Sequence, residues 1–539
     1  MKHAYTDLCR QPDHVLFQYE DSGVRFEEPS GREEQTSRID CTPVDGVLRI
    51  TLYPSERPYS RVKLRFDADL SSGILMLGDG WERTGLSTAS DAEALWTGLY
   101  DRRRMPWYFH LFDGMALHSF GVKTGPACFA WFECDARGIT LWLDVRSGGR
   151  AARLTEPLLA CELVSREGID GEIPYRAAQQ FCRMLCDKPK LPKEPIFGVN
   201  NWYWAYGSIT HDTIMTETDQ LMEMAADAVL RPYMIIDDGW QLNRYSNRFG
   251  SYNGGPWDKT NAGFPDGMAA TADAIHQKGA KAGIWLRPLL TCLPSPADAV
   301  GIRAEKNGFL LDPSHPFTLE KVASDIALLR EQGYELLKHD FTSYDTVRRV
   351  FSDEAMPAFY DTTKPTCYIL RELYRTIQAA AGDCEVIGCN TMGHLVAGIH
   401  SAQRIGDDTS GRNFEVTRGD GVATFTRLPQ NGTFFAHDPD CAAFTAMVSE
   451  DMNLDFLEAA AVSGAITLAS VTPGILSREG MARIRRIYRT ASEGGLGAEP
   501  TDWLGHNTVS RFETPDGRVF EYDWYREYRG VRRFYQWSN

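Results

Sequence analysis

Over the first 187 residues apolar and polar positions alternate in short runs, as in Gly46–Tyr53 and Gly138–Val145, with Gly, Asp, Ser and Pro between them. A period of two over such lengths predicts half-buried strands, and their spacing predicts an N-terminal β-sandwich over residues 1–187. The pattern then breaks. Lys188–Pro195 holds three prolines and three lysines in eight residues, which neither a helix nor a central strand accommodates, so 188–195 reads as a linker. Beyond it, apolar runs without alternation are separated by helical stretches: Phe197–Trp202, Met234–Asp237, Ala282–Arg287, Leu336–Asp340, Val386–Asn390, Gln403–Asp407, Phe434–Asp438 and Ala465–Leu468. Strands buried on both faces lose the alternation, and eight of them interleaved with helices predict a central (β/α)8 TIM barrel over 196–493. One predicted helix, Asp273 to Lys281, carries Gly279 where a helix stops. A second breaker at Gly494–Pro500 opens a short C-terminal β-rich segment, 494–539, completing a multidomain α/β chain.

Composition narrows the partners. The net charge of −16 argues against nucleic acid, which needs a basic face. No run is long enough to span a bilayer, and Met1–Arg10 lacks an apolar core of signal-peptide length, so the expected location is cytoplasmic and no membrane partner is expected. Twelve scattered cysteines fit reduced thiols. Cys182 and Cys186 stand four apart on a predicted helix without a matching pair, so no metal site is expected. The oligomeric state, a homo-oligomer included, is left open.

The candidate chemistry sits where the apolar runs end. Lys338 and Asp340 lie two apart, hence on one face of a strand, and a lysine beside an aspartate favours the ionised carboxylate that a nucleophile needs. A structural ion pair explains the same motif. Two further runs, however, end in acids, at Asp237-Asp238 and at Asp407-Asp408 with Arg404 just before them. In a barrel these ends meet at one mouth and build an acidic pocket. Trp202 and Trp204 are expected to share a face, either as a platform for a sugar ring or as core residues at the rim. Trp240 follows the second pair of acids and helps fix them at the end of a buried strand.

Collinear motifs carry a resemblance: Asn201-Trp-Tyr-Trp204, Ile236-Asp-Asp-Gly-Trp240, Gly263-Phe-Pro-Asp-Gly-Met268, Ile275-His-Gln-Lys-Gly279, Gly283-Ile-Trp285, Leu311-Asp-Pro-Ser-His-Pro316, Lys338-His-Asp340, Gly406-Asp-Asp408 and His437-Asp-Pro-Asp440. In these the chain resembles the glycoside hydrolase clan of families 27 and 36, the α-galactosidases and their relatives such as raffinose synthases. The large N-terminal β-region is similar to family 36. The resemblance implies a retaining exo-α-glycosidase acting on terminal α-D-galactosyl groups of an oligosaccharide or glycoside, with no cofactor. Such enzymes pair a carboxylate nucleophile with a protonated acid about 5–5.5 Å away. Asp340 suits the nucleophile. For the acid Asp407 and Asp408 compete; the resemblance favours the aspartate after a small residue, Asp407 after Gly406, and neighbouring acids are expected to raise its pKa while Arg404 lowers it. Asp237 and Asp238 are implied as the sugar clamp, Cys389 and Asn390 as the place that reads the 2-position, and Arg404 as a binder of hydroxyls or an orienter of Asp408. His394, His400 and His437 are expected to be structural, and Asp438 and Asp440 mainly so.

One departure concerns the third strand, where Trp285 is followed by Leu286, Arg287, Pro288 and Leu289 in place of the family's Phe-Glu-Pro-Glu. Arg287 either admits an acidic group or pairs with a local aspartate, the second being expected in so acidic a site. Within the clan, α-N-acetylgalactosaminidase and α-galactosyl transferase activity stay open. Outside it, a Schiff-base aldolase using Lys338 and an inactive sugar-binding protein are the alternatives.

Overall fold

The computed structural model describes residues 5–31, 38–70, 75–83, 94–98, 104–242, 253–305, 308–351 and 358–526. The ends of the predicted N- and C-terminal segments, residues 1–4 and 527–539, lie outside them. The alternating N-terminal runs form two antiparallel sheets. One has five strands in the order His14–Tyr19, Tyr59–Asp67, Gly138–Asp144, Phe129–Asp135, Met105–Pro106; the other has seven and includes Val47–Leu52, Leu158–Arg166, Leu117–Val122 and Tyr108–Phe112. Apolar side chains of both sheets, among them Leu64, Phe132 and Leu141 from the first and Ile50, Phe109 and Leu163 from the second, belong to one buried cluster.

The central region is TIM-barrel-like. Nine strands pair in parallel, in the order Ala436–Asp438, Ala402–Arg404, Glu385–Gly388, Leu336–His339, Lys281–Leu286, Tyr233–Ile236, Phe197–Asn200, Thr467–Val471, Ala442–Phe444. Leu336 packs with Ile235 and Ile387, while Leu337 belongs to the cluster shared with the surrounding helices. Lys338 and Asp340 therefore follow Leu336 inward, and His339 turns outward against Tyr374 of the helix Thr366–Ala381.

Local chemistry sets the helix ends. Thr210 and Thr213 close a capping box on His211–Met224, and the serines Ser449 and Ser477 cap Glu450–Ser463 and Arg478–Ser492. The helix expected at Asp273 runs Gly267–Gln277, and Gly279 follows it with φ 97°. Between the strands Ala402–Arg404 and Ala436–Asp438 the helical path is irregular: it widens to π geometry at Thr417–Gly421 and tightens to 3₁₀ at Val422–Gln430. A small antiparallel sheet, Glu499–Pro500, Arg511–Glu513 and Val519–Glu521, follows. The segment 188–195 runs along the barrel with Lys193 N–H donating to Glu385 (3.0 Å). The eleven cysteines other than Cys292 are free thiols, and among the described residues no helix is long and apolar enough to cross a membrane.

Candidate active site

The C-terminal ends of the strands frame a pocket of about 280 Å3, bounded by Asp237, Asp238, Trp285, Lys338, Asp340, Cys389, Asn390 and Asp408, with Trp202, Tyr203, Phe341, Tyr344, Asn253 and Arg83 completing it. Larger hollows exist elsewhere, one of about 430 Å3 beside the strand starts Tyr233 and Lys281. Lysines there already neutralise the acids, Lys281 pairing with Glu194 and Lys193 with Asp383, so size does not mark the site.

On the second strand the buried run Tyr233–Ile236 delivers Asp237 and Asp238 to the mouth. The chain turns at once at Gly239, φ 126°, where a Cβ would sit 2.5 Å from the Gly207 carbonyl oxygen, so only glycine fits. Asp237 Oδ2 accepts from Asn200 Nδ2 (2.6 Å) and from Lys338 Nζ (2.7 Å). Burial works against the Lys338 charge, but the Asp237 carboxylate outweighs it and holds the ammonium well above the usual lysine range. Asp238 accepts from Gln241 Nε2 (2.6 Å). Its burial pushes its carboxyl up to about 7, opposed by the Gln241 bond and aided by the charges of Asp237 and Asp340.

Asp340 is not held by Lys338, contrary to the expectation from their spacing. Its Oδ2 accepts from the indole N–H of Trp285 (2.9 Å), and its Oδ1 from Asn390 Nδ2 (2.6 Å) and the N–H of Phe341 (2.7 Å). A shared strand face sets direction, not partner, and the carboxylate of Asp237 lies nearer the ammonium. Phe341 and Asn390, which follow Asp340 and Cys389, both adopt positive φ (68° and 50°). Two non-glycine residues in this sparsely populated region at adjacent strand ends mark strain kept by the surrounding structure.

On the sixth strand Arg404 is buried and pairs with Asp408 (2.8 Å) and Asp440 (2.7 Å). It orients Asp408 rather than facing the pocket. Gly406 lies against the irregular helical path: a Cβ there would strike the Asp420 carbonyl and Thr424. The two candidate acids part company here. Asp408 bounds the pocket, whereas Asp407 accepts from the Asp408 N–H (2.8 Å) and does not border it. From the N-terminal region Arg83 reaches both, at 2.7 Å from Asp408 and 3.2 Å from Asp407. Burial pushes Asp408 up, yet Arg83, Arg404 and Lys338 together outweigh it and bring its carboxyl down to about 2. Neighbouring acids were expected to raise the pKa of the catalytic acid and Arg404 to lower it; Arg83, absent from that reasoning, adds the largest cationic influence at Asp408.

Other expected residues serve the framework. Trp202-Tyr-Trp-Ala205 is a turn of helix, not strand, so Trp202 and Trp204 do not share a face. Trp202 borders the pocket, and Trp204 turns back to donate to Glu217 (2.7 Å). Trp240 is fully buried and donates to the Trp285 carbonyl (3.1 Å), a core residue rather than a sugar contact. Arg287 is bound by Asp345 (2.5 and 3.0 Å) and Asn253 (2.6 Å), the local pairing that was expected. Cys389 lies 3.8 Å from Arg404 Nη1. Asp440 accepts from Thr409 (2.9 Å) as well as pairing with Arg404, and His394 and His437 bond within the core, to the Val122 carbonyl and to Thr424. The sequence reading missed Arg83, Tyr344 and Asn253. Tyr203 and Trp285 stood in quoted motifs but without a role.

The site thus belongs to a barrel whose mouth is acidic and is completed from an N-terminal β-region. No family model matches the chain. Among curated relatives the alpha-galactosidase Mel36A of Lactobacillus acidophilus is 28% identical over 106 residues, 20% of this chain and 13% of that protein. The bifunctional alpha-galactosidase/sucrose kinase AgaSK of Mediterraneibacter gnavus is 27% identical over 174 residues, 30% of this chain and 17% of that protein. The matches therefore span less than a fifth of either relative's length. Among solved structures the alpha-galactosidase TtGalA of Thermus thermophilus, in complex with p-nitrophenyl alpha-D-galactopyranoside, has a TM-score of 0.59 at 19% identity, covering 90% of this chain and 95% of that one. The GH36 alpha-galactosidase AgaA of Geobacillus stearothermophilus has a TM-score of 0.60 at 14% identity, covering 87% and 69%. The chain has the fold of the GH36 alpha-galactosidases, and its resemblance to family 36 rests on curated relatives as well as on fold.

Proposed function

We propose that the chain is a retaining exo-α-glycosidase that hydrolyses terminal α-D-galactosyl groups, with Asp340 as nucleophile and Asp408 as acid/base. The observation that carries this reading is the joint placement of Asp340 and Asp408 on one small pocket beside the Asp237–Lys338 pair. Three neutral donors hold the Asp340 carboxylate in place for attack on the anomeric carbon. Asp408 faces the same space with its side chain about half exposed (53%), open to the leaving oxygen. While Arg83 is paired with it, Asp408 is ionised, the form that takes a proton from water in the second displacement. In the first displacement the leaving group enters between Arg83 and Asp408, and loss of that pairing raises the carboxyl so that it can carry a proton.

Asp237, Asp238 and Lys338 supply acceptors and a donor for ring hydroxyls away from the cleaved bond. The volume lies below the roughly 300 Å3 lower bound of drug-sized sites, which suits one sugar ring. In the same reading the two N-terminal sheets are the layers of a β-sandwich, and Ala436–Asp438 with Ala442–Phe444 are halves of one seventh strand of a (β/α)8 barrel. The Asp237 partner speaks against an aldolase, since imine formation needs Lys338 as a free amine. The test is the anomer first formed from an aryl α-galactoside, followed by NMR. The α-anomer of galactose is expected; β-galactose first, or faster turnover of the α-glucoside, overturns the assignment.

A further inference from the structure

Arg83 enters the pocket from a segment far away in sequence, and the question is what fixes its approach. The segment begins at Asp79, directly after the strand Leu75–Gly78. Asp79 is buried, its N–H donates to the Tyr108 carbonyl (3.1 Å), and its carboxylate accepts from Gln430 Nε2 (3.0 Å) and lies 2.7 Å from Arg427 Nε. Arg427 is also buried and sits on the 3₁₀ run Val422–Gln430 of the barrel region. Its Nη1 donates in two directions, to the main-chain carbonyl of Glu82 (3.0 Å) and to that of Ile405 (2.9 Å). Glu82 precedes Arg83; Ile405 precedes Gly406, Asp407 and Asp408. One guanidinium thus ties the segment that carries Arg83 to the strand end that carries Asp408.

We propose that Arg427 is a positioning residue that sets where Arg83 stands against Asp408. It touches neither pocket nor substrate. Its role rests on the assignment of Asp408 as acid/base. Two features of the contact set argue for registration rather than packing alone. Among the described hydrogen bonds and ion pairs, the two segments whose carbonyls it bridges are otherwise joined at this point through the Arg83 side chain, and both carbonyls lie one to three residues from the charges concerned. A buried guanidinium whose carboxylate partner sits at the base of one of those segments is also costly to move, because either charge left alone in the interior is strongly unfavourable. The groups facing Asp408 are Arg83 from the N-terminal segment, Asp407 and Arg404 from its own strand end, Lys338 from the fourth strand and Tyr203 from the helical turn, with Glu82 sharing Arg83 and Asp440 sharing Arg404. Of the cations among these, Arg83 alone is carried by the segment that Arg427 holds at the Glu82 carbonyl, so displacement of the segment weakens the largest cationic influence on Asp408.

The test compares Arg427→Lys, Arg427→Met and Arg83→Met in the full chain. Lysine keeps a charge for Asp79, but its single nitrogen cannot pair with Asp79 from one atom and hold the two carbonyls from another as Nε and Nη1 of the guanidinium do, so it guards against a methionine variant that does not fold. The ionisation that Asp408→Asn removes from the pH profile of kcat/KM is taken as that of Asp408. Arg427→Lys is expected to shift it to higher pH, in the same direction as Arg83→Met, and to speed hydrogen–deuterium exchange in peptides covering both 79–83 and 405–408. The double variant Arg83→Met, Arg427→Lys should shift it no further than Arg83→Met alone. A wild-type profile in Arg427→Lys while Arg83→Met shifts, or additive shifts in the double variant, overturns the proposal. If Arg83→Met itself moves nothing, the assignment of Asp408 falls, and the exchange experiment then decides the clamp: unchanged exchange in either segment rejects it.

Discussion

Asp238 and Asp408 stand on opposite walls of one pocket, and their surroundings drive them opposite ways. Burial acts on both. On the second strand the nearby cations are engaged elsewhere, Arg287 by Asp345 and Lys338 by Asp237, so burial prevails and Asp238 rises to about 7. On the sixth strand Arg404 lies behind Asp408 and Arg83 crosses from the N-terminal region, and Asp408 falls to about 2. The two carboxyls, Asp238 buried and Asp408 about half exposed, therefore differ both in burial and in which wall receives the guanidinium groups, the arrangement by which one site separates a proton-holding group from an ionised one. Asp340 stands between them, accepting hydrogen bonds from three neutral donors.

Variants can break that contrast. The largest loss is expected from Asp340→Ala, about 10⁴-fold or more in kcat on any α-galactoside, with azide restoring part of the rate as the β-galactosyl azide. Turnover near wild type would remove Asp340 from the chemistry and leave the two walls without a common target. Next in size, Asp408→Ala should cost about 10²–10⁴-fold on substrates with poor leaving groups and far less on activated phenols, while Asp407→Ala retains the wild-type dependence on leaving group. The reverse outcome would transfer the role to the acid outside the pocket wall. A smaller effect, about 10–100-fold in kcat/KM, is expected from Asp237→Asn, which takes a charge-assisted partner from both Lys338 and the sugar. It should also weaken the hold of Lys338 on its proton, and an unchanged kcat/KM would deny the second-strand wall any part in binding.

The smallest change in activity is expected at a carboxyl with no cation beside it among the described residues. Glu217 is buried beneath Trp204, and burial pushes it up to about 8 against the opposing bond from the indole N–H. An unfolded glutamate titrates near about 4.3, so between that pH and about 8 the unfolded chain releases a proton that the folded chain keeps. Stability contributed by this group is present below about 4.3 and lost as pH rises towards 8. Glu217→Gln keeps an acceptor for Trp204 and should leave turnover near wild type. Its Tm relative to wild type should climb from pH 5 to pH 8 and then level off; a constant difference would mean that Glu217 is ionised in the fold.

The second-strand wall was legible in the sequence and the sixth-strand wall only in part. Asp237, Asp238, Lys338, Asp340, Cys389 and Asn390 each end an apolar run, and parallel strands carry such ends to one face, so order along the chain predicts company in space. Arg83 has no such signal. It lies 325 residues from Asp408 and follows a strand of a different sheet, and no periodicity links the two. Trp202 and Trp204 were misread because alternation was extended past Asn200, where the chain has already entered a helical turn. Lys338 was assigned the wrong acid because a shared face gives orientation while the choice among several nearby carboxylates depends on distances that only the closed barrel sets.

Gly406 carries a lesson about inheritance. Every amino acid that could replace it brings a Cβ, and that atom has no place beside the Asp420 carbonyl and Thr424. A saturation library at this position should return glycine almost alone, although the residue touches no sugar and moves no proton. The position just before the acid pair is therefore closed to point substitution, and descendants of this chain are free to explore new acid strength only through the residues around it.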